Sequence, residues 1–188
     1  MIFSKPLYYI RRVKGHMRYR NSILSHMSTL NRDYQHIDQK GSYKSYISNT
    51  DWDFDSPSYH KTWLMECFSP EAREDYINFL RKKYSGDNEG FKIGDIWFNQ
   101  YYPKSGSEHA FHNHVDSIHN NDLTNIYYVE LGDKSLRTIL KHPVTGKEIV
   151  PRVNEGDMLI FDAKIFHKSP RNFSPTRKSI ISFNISLQ

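Results

Sequence analysis

The pattern of hydrophobic and polar positions divides the chain near Gly94. Before about residue 92 the spacing is helical or irregular, whereas after it short β-rich segments are separated by Gly, Pro and Asn. Many short strands between turn residues are typical of a sandwich or jelly roll rather than a parallel α/β sheet. We therefore expect an α+β protein with a double-stranded β-helix, a cupin-like jelly roll, at its centre and supporting helices from the amino-terminal part.

Two helices are predicted before this boundary. Asn21 can cap the first, because apolar residues recur at helical spacing from there to Tyr34. Ser69-Pro70-Glu71 combines the hydroxyl, proline and acid that open a helix, and Gly86 follows its predicted end. We expect the apolar face of the first helix to pack in the core and the second helix to lie against the outside of the sheet.

Six strands are predicted after the boundary: 96–102, 125–131, 136–140, 148–153, 158–161 and 179–186. A chain of 188 residues with 37% hydrophobic content supplies one core rather than two independent ones. We therefore expect a single domain, in which residues 93–188 form the β-helix core and residues 1–92 form a helical and loop extension packed on it.

Composition excludes several classes of protein. No stretch approaches the roughly 20 apolar residues of a membrane span, and the amino terminus has no apolar run of secretory length. Cys67 is the single cysteine, so an intramolecular disulfide is excluded and a reducing compartment is favoured. The expected location is the cytoplasm.

The net charge of +5 is concentrated at the amino end. Residues 1–32, which we call the basic arm, contain no Asp or Glu and seven cations: Lys5, Arg11, Arg12, Lys14, Arg18, Arg20 and Arg32. Such a run indicates either contact with nucleic acid or an ordinary solvated face. The second interpretation is favoured, because the tyrosines of the arm show no clear stacking pattern.

His114-Val115-Asp116 has the spacing of a metal site on a strand. Residues i and i+2 project to one face, so an imidazole and a carboxylate can bind one ion while Val115 points away. His167, which follows the predicted strand 158–161, is the expected third ligand. Two histidines and one carboxylate form the facial triad of non-haem iron(II) oxygenases, which leaves positions open for a bidentate co-substrate and oxygen.

His112 is an alternative to His114, because the two histidines also share a strand face. We favour His114, which alone stands two residues before a carboxylate. His109 and His119 are expected to be loop residues or substrate contacts.

Arg177 and Ser179 open the last predicted strand and project to the same side of it. A planar guanidinium binds a carboxylate through two hydrogen bonds, and a neighbouring hydroxyl donates another. The pair therefore suits the far carboxylate of 2-oxoglutarate.

These residues together resemble a family. The run Tyr102-Pro103-Lys104-Ser105-Gly106, then His114-Val115-Asp116 and Ile126-Tyr127-Tyr128, resembles the core of prolyl hydroxylases of the iron(II)/2-oxoglutarate superfamily, particularly the oxygen-sensing type. The later Gly156 to Phe161, His167, Arg177 and Ser179 to Asn184 are also similar to a broader group of 2-oxoglutarate oxygenases common in bacteria and phages. The resemblance covers residues 97–186, about half of the chain.

The resemblance implies an oxygenase that uses Fe(II), 2-oxoglutarate and O2, hydroxylates a C–H bond and releases succinate and CO2. It implies that Tyr102 and Tyr128 line the 2-oxoglutarate pocket, that Arg177 binds the distal carboxylate, and that the two histidines and Asp116 hold the iron. The implied substrate is a protein side chain, with proline as one candidate; small molecules and nucleobases stay open. The alternative is a non-oxygenase cupin-like protein that binds a metal or another ligand. Such a protein does not bind 2-oxoglutarate and would not need Arg177 as a carboxylate anchor.

Overall fold

The structure is a computed structural model that describes residues 6–30, 35–37, 44–46, 70–84, 91–115 and 121–187. These ranges hold two α-helices, α1 (His16–Leu30) and α2 (Pro70–Tyr84), and a short 3-10 helix (Lys134–Leu136). The strands are β1 (Tyr8–Arg12), β2 (Gln35–Ile37), β3 (Lys44–Tyr46), β4 (Phe91–Tyr101), β5 (His109–His112), β6 (Leu123–Leu131), β7 (Ile139–Lys141), β8 (Glu148–Ile149), β9 (Asp157–Asp162), β10 (His167–Ser169) and β11 (Lys178–Leu187). Neither described helix combines the length and apolar character of a membrane crossing.

Two antiparallel sheets carry the fold. The main sheet has the order β1-β9-β6-β11-β4, and the minor sheet has the order β5-β10-β7-β8. Every paired strand in them is antiparallel, as short segments joined by turns favour. β2 and β3 pair with each other in a separate two-stranded sheet. The β-rich architecture with supporting helices agrees with the expected class.

The two faces of the main sheet bury separate apolar clusters, because side chains alternate along each strand. Tyr127 and Val129 of β6 pack in one cluster with residues of α1 and α2, such as Met27 and Leu80. The intervening Tyr128 packs in the second cluster, which includes Leu140 of the minor sheet. Burial of each large apolar side chain contributes about 1.5–3 kcal/mol relative to exposure. The helices therefore cover one face of the main sheet, and the other face is available to the minor sheet.

The amino-terminal part differs from the prediction in two ways. β1 was not predicted, yet it forms the edge of the main sheet, where Tyr9 pairs with Ile160. α1 begins at His16, so Asn21 lies inside the helix and does not cap it. The reason is Gly15, whose φ of 70° suits glycine and whose carbonyl accepts from the backbone N–H groups of the first turn at 2.9 and 3.2 Å.

Several cations of the basic arm are paired within the chain. The ion pairs are Arg11–Asp75 at 3.4 Å, Lys14–Asp75 at 2.7 Å, Arg12–Asp157 at 3.3 Å and Arg20–Glu155 at 2.6 Å. These acids belong to α2, to β9 and to the turn before β9. These ion pairs connect the basic arm to α2 and to the main sheet near β9. They favour a structural role for the arm over contact with nucleic acid.

Candidate functional site

A small cleft lies between the two sheets. Its walls come from β4, β6 and β11 of the main sheet and from β5 and β10 of the minor sheet. Its lining combines imidazoles, hydroxyls and apolar side chains.

Three histidines converge in this cleft. One ligand nitrogen from each of His112, His114 and His167 lies within 4.8 Å of the other two. His112 and His167 are directly paired between β5 and β10, so their side chains share a face. His114 follows the end of β5, and its backbone N–H donates to the carbonyl of Ala163 at 3.0 Å. The minor sheet and one adjoining turn thus bring the three rings together.

Backbone contacts orient two of these rings. Nδ1 of His112 lies 2.8 Å from the carbonyl oxygen of Ala110, and Nδ1 of His167 lies 3.2 Å from that of Ile165. A carbonyl only accepts, so each Nδ1 carries the proton and each Nε2 keeps a free lone pair. Such contacts are the usual outer support of a metal-binding histidine.

His114 provides the third nitrogen. Its Nε2 is buried and has no hydrogen-bond partner among the described residues, and its ring stacks on Trp97 with centroids 5.1 Å apart. Burial, reinforced by neighbouring His112, lowers the pKa of His114 to about 3. Burial also lowers the pKa of His112, and places that of His167 well below its usual range. All three rings are therefore neutral near pH 7, the form that binds metals.

This donor set fits a metal ion. Neutral imidazoles suit iron, zinc, copper and nickel, so His112, His114 and His167 would hold such an ion if it were bound. The described residues that line the cleft include no carboxylate. Asp116 lies outside the described residues, so its predicted role as a ligand stays a prediction. His114 was expected to lie on a strand, but β5 ends at His112 and His114 follows it.

A buried lysine lies farther along the main sheet. Lys178, the first residue of β11, is fully buried and pairs with Tyr101 of β4. Its Nζ donates to Ser169 Oγ at 2.8 Å and lies 5.0 and 5.7 Å from the ring centroids of Tyr101 and Tyr128. No described carboxylate forms an ion pair with it, and burial lowers its pKa to about 7. A cation without a described counterion offers a place for an anionic ligand.

The two tyrosines beside Lys178 are neutral donors. Burial raises the pKa of Tyr101 to about 12, and it raises that of Tyr128 as well. The hydroxyl of Tyr128 lies 2.7 Å from Oγ1 of Thr138. Tyr128 lies beside Lys178 but is not among the residues that line the cleft, so its place in the 2-oxoglutarate pocket stays a prediction. Tyr102 follows the end of β4 and is not among the residues that line the cleft, whereas its neighbour Tyr101 is.

Arg177 and Ser179 lie on the opposite side of β11. Arg177 Nε donates to Glu130 Oε2 at 2.7 Å, and Ser179 Oγ donates to the same oxygen at 3.0 Å. The two residues share a side, as strand alternation predicts, but the carboxylate that they bind belongs to the protein. The structure does not bring them into the cleft, so their assignment to 2-oxoglutarate stays a prediction.

Asn99 lies between the two ends of the cleft. It is opposite Ile180 in the pairing of β4 with β11, and its Oδ1 is buried without a described hydrogen-bond partner. This oxygen is available to a donor on whatever occupies the cleft. The sequence interpretation did not single out Asn99, Tyr101 or Lys178. The available signal was their spacing, because residues 97, 99 and 101 share one strand face, as do 178, 180 and 182.

Neither a protein-family profile nor a curated protein sequence matches the chain. Solved structures do match it. A viral collagen prolyl hydroxylase from Paramecium Bursaria Chlorella virus-1, in its 2OG complex, has a TM-score of 0.58 and 14% identity, with 98% of each chain covered. A prolyl-4-hydroxylase from Pseudomonas putida has a TM-score of 0.60 and 10% identity, with 97% of this chain and 93% of that chain covered.

A third match is a prolyl hydroxylase from Trichoplax adhaerens in complex with a peptide fragment of the hypoxia inducible factor oxygen degradation domain. Its TM-score is 0.63 at 14% identity, with 95% of this chain and 83% of that chain covered. The chain therefore has a fold like that of the prolyl hydroxylases among the 2OG-Fe(II) oxygenases. The resemblance read from the short motifs is confirmed as a likeness of fold.

Proposed function

We propose that this protein is an Fe(II)- and 2-oxoglutarate-dependent oxygenase that hydroxylates a C–H bond and releases succinate and CO2. The observation that carries the proposal is the pairing of three convergent neutral imidazoles with a buried lysine in the same part of the fold. A ligand that chelates a metal with one end and presents a carboxylate at the other matches both features. The prolyl-hydroxylase-like fold supports the same conclusion.

The proposed metal ligands are His112, His114 and His167. His114 and His167 are also in the set predicted from the sequence, and the two sets differ only in whether His112 or Asp116 completes it. The bound iron would supply the oxidation chemistry, and the ligands must hold it with open positions. Iron binding that survives Asp116→Ala but is lost in His112→Ala supports the three-histidine set, and the reverse result supports the set predicted from the sequence.

The proposed anchor for the distal carboxylate of 2-oxoglutarate is Lys178. Its ammonium is a point charge in a buried site, flanked by the rings of Tyr101 and Tyr128. The predicted anchor Arg177 already binds Glu130, so it has less capacity for a second carboxylate. Binding of the diacid would give Lys178 the counterion that the described residues do not supply.

The middle of the cleft would hold the co-substrate and exclude water. Ile126 and Ile180 provide apolar wall, and Trp97 supports the ring of His114. Apolar walls strengthen the attraction between an ammonium and a carboxylate, because the local dielectric constant is low. Asn99 Oδ1 can accept from a donor in this region.

We propose that the finer architecture is a double-stranded β-helix formed by the five-stranded and four-stranded sheets. In this view residues 93–188 form the catalytic core, and residues 1–92 form an extension that also contributes β1 to the main sheet. The single cysteine of the chain favours a cytoplasmic location.

The proposed substrate is a protein or peptide side chain, with proline as one candidate and small molecules as the other class. The support is that one of the structural matches is a prolyl hydroxylase bound to a peptide fragment. Nucleobases are less favoured, because Arg11, Arg12, Lys14 and Arg20 of the basic arm have partners within the chain.

A second candidate is a metal-binding protein of cupin type without oxygenase activity. The observation in its favour is the all-nitrogen donor set, which suits zinc, copper and nickel as well as iron. Lys178 discriminates between the two candidates, because simple metal binding needs no buried cation beside the site.

The deciding experiment combines binding with turnover. The Mn(II)-loaded protein is titrated with 2-oxoglutarate by calorimetry, and the anaerobically iron-loaded protein is then given 2-oxoglutarate and oxygen while succinate is measured. We expect metal-dependent binding and oxygen-dependent succinate, both abolished in His167→Ala and retained in the control His142→Ala, which changes an exposed turn. Metal binding without any 2-oxoglutarate binding would favour the second candidate.

A further inference from the structure

Lys178 lies on the same side of β11 as the cleft residues Ile180 and Ser182, and its Nζ donates to Ser169 of the cleft wall. It is fully buried there, although burial of an ammonium is unfavourable. Successive side chains of a strand point to opposite faces, so an inward Lys178 requires Arg177 and Ser179 to point outward. A slip of one residue would move the lysine to the outer face and bring a neighbour into the cleft. Contacts on the outer face must therefore hold this end of β11 against the desolvation of the lysine.

Backbone pairing is continuous here on one side of β11 and interrupted on the other. With β4 the register runs without a shift from Lys178 to Phe183. Between β11 and β6 the register shifts just after Lys178, because Ser179 lies opposite Glu130 whereas Ile180 lies opposite Tyr128. Val129 is thus an extra residue of β6, as in a β-bulge, and the ladder is disrupted at this point. Side-chain contacts beside the bulge gain importance for the orientation of the strand.

Glu130 makes those contacts. Its Oε2 accepts from Arg177 Nε at 2.7 Å and from Ser179 Oγ at 3.0 Å, so a single oxygen binds both neighbours of Lys178. Its Oε1 lies 3.6 Å from Nη2 of Arg20 in α1. Hydrogen bonds that involve a charged partner are roughly twice as strong as neutral ones, and this carboxylate is half-buried.

We propose that Glu130 is a positioning residue for the co-substrate: it binds Arg177 and Ser179 on the outer face of β11 and thereby keeps Lys178 directed into the cleft. The inference rests on the proposed function, in which Lys178 binds the distal carboxylate. Glu130 itself touches neither the cleft nor its occupant. The three residues at the start of β11 therefore have two roles. Arg177 and Ser179 hold the strand through Glu130, and Lys178 between them binds the co-substrate.

The contact also gives the basic arm a role. Arg20 bridges Glu130 and Glu155, since its Nε donates to Glu155 Oε1 at 2.6 Å, and Glu155 Oε2 accepts from the backbone N–H of Leu131 at 3.0 Å. α1 is thereby joined to the end of β6 that carries Glu130. The amino-terminal helix supports the anchor strand from the face opposite the cleft.

The test compares Glu130→Ala and Glu130→Gln with Asp75→Asn. Asp75 also binds two cations of the basic arm but has no link to β11, so it controls for the loss of ion pairs. Three quantities are measured: Mn(II) affinity, 2-oxoglutarate affinity of the Mn(II)-loaded protein, and acetylation of Lys178 by acetic anhydride, read by peptide mass spectrometry.

We expect Glu130→Ala to weaken 2-oxoglutarate binding roughly tenfold, to leave Mn(II) affinity unchanged and to raise acetylation of Lys178. Glu130→Gln, which keeps an acceptor oxygen, should recover part of the affinity, and Asp75→Asn should match the wild type. In an Arg177→Gln background Glu130→Ala should cost less than in the wild type, because the two residues act together. A general loss of stability would instead lower all affinities and would give additive effects.

Wild-type 2-oxoglutarate affinity and wild-type protection of Lys178 in Glu130→Ala would overturn the inference. If Glu130→Ala does not fold, Ser179→Ala tests the same contact with a smaller loss, and unchanged protection of Lys178 there would count equally against it. If the wild type binds no 2-oxoglutarate but Glu130→Ala still exposes Lys178 to acetylation, the proposed function fails while the positioning role stands. The two proposals thus fail in different ways.

Discussion

The two faces of the main sheet at the start of β11 hold cations in contrasting settings. On the outer face Arg177 binds Glu130, and the neighbouring Arg12 and Arg20 also have carboxylate partners. On the inner face Lys178 is fully buried and has no described carboxylate partner. A cation paired within the protein serves the fold, whereas a buried cation left without a counterion lowers stability and must be explained by what it binds.

The same contrast holds for the histidines. His16, between α1 and the main sheet, has its Nδ1 2.7 Å from the hydroxyl of Tyr127. Its Nε2 forms no hydrogen bond with a described residue but lies 3.6 Å from the carboxylate oxygen Oε1 of Glu155. His114, in the cleft, leaves its Nε2 buried without a described partner. The outer histidine therefore has a side-chain hydrogen bond and a nearby carboxylate, whereas His114 has neither among the described residues. Four predictions test this difference, from the largest expected effect to the smallest.

Removal of an inner-face metal ligand should have the largest effect. His167→Ala should abolish oxygen-dependent succinate formation and weaken metal binding by more than the roughly 10–100-fold typical of an outer supporting residue. Metal affinity is measured by competition with a chelator. His16→Ala provides the matched change on the outer face, and it should lower stability while leaving metal affinity within about twofold. Loss of the metal in His16→Ala and not in His167→Ala would contradict the division between the faces.

Lys178→Met and Arg177→Met should have opposite effects on stability. Methionine keeps the length of the lysine but removes a buried charge, so Lys178→Met should raise stability by about 1–4 kcal/mol. It should also weaken 2-oxoglutarate binding at least a hundredfold. Arg177→Met removes the shorter of the two ion pairs of Glu130, so stability should fall, and binding should weaken roughly tenfold through the orientation of β11. Urea unfolding and calorimetry measure both quantities; a greater loss of binding in Arg177→Met would return the anchor role to Arg177.

The pH dependence of co-substrate binding should report the ionisation of Lys178. Because burial lowers its pKa to about 7, the lysine is protonated below that pH and loses its charge above it. Affinity for the 2-oxoglutarate dianion should be nearly constant below pH 7 and then fall, by up to about tenfold per pH unit, towards pH 9. The two groups beside it do not ionise in this range, because the pKa values of Tyr101 and Tyr128 are both raised.

The stability of the free protein should change in the opposite sense. The pKa of Lys178 is lower in the folded state than its usual 10.5, so the unfolded chain binds more protons between these values. The contribution of this group to folding therefore improves as pH rises above about 7 and is constant below it. Lys178→Arg is the control for binding, because arginine stays protonated throughout and should give a flat profile. A wild-type profile as flat as that of this variant would refute the assignment.

Gly156→Ala should have the smallest effect, and only on stability. Gly156 has a φ of 85°, and an added Cβ would lie 2.6 Å from Arg12 Cζ and 2.7 Å from Cδ2 of buried His16. We expect a loss of about 1–3 kcal/mol in the free energy of unfolding. Gly146→Ala shares the positive φ but meets only Lys141 Cε at 3.9 Å, so it measures the backbone cost alone. Equal losses in the two variants would show that the close packing of the outer face contributes nothing.

Much of the fold could be predicted from local pattern. The alternation and turn residues after position 92 predicted strands that match β4, β6, β9 and β11 within a few residues, and the signature at Ser69-Pro70-Glu71 predicted α2. β1 was missed, because Tyr8 to Arg12 is short and gains its pairing from β9, far away in the sequence. Local signals describe a segment's preference and contain no information about a distant partner.

The sequence by itself determined which residues could share a site: histidines near residues 112 and 114, a later His167, and a basic run at the start of the last strand. It also determined, through the two-residue period of a strand, that Arg177 and Ser179 lie on one side and Lys178 on the other. Only the tertiary structure decided which side faces the cleft. Both faces of the main sheet bury apolar clusters, so the hydrophobic pattern of β11 does not indicate which face borders the cleft. The side is determined by contacts with residues distant in the sequence. Glu130 binds Arg177 and Ser179 on the outer face, and on the inner face the minor sheet offers Lys178 the hydroxyl of Ser169 but no described carboxylate.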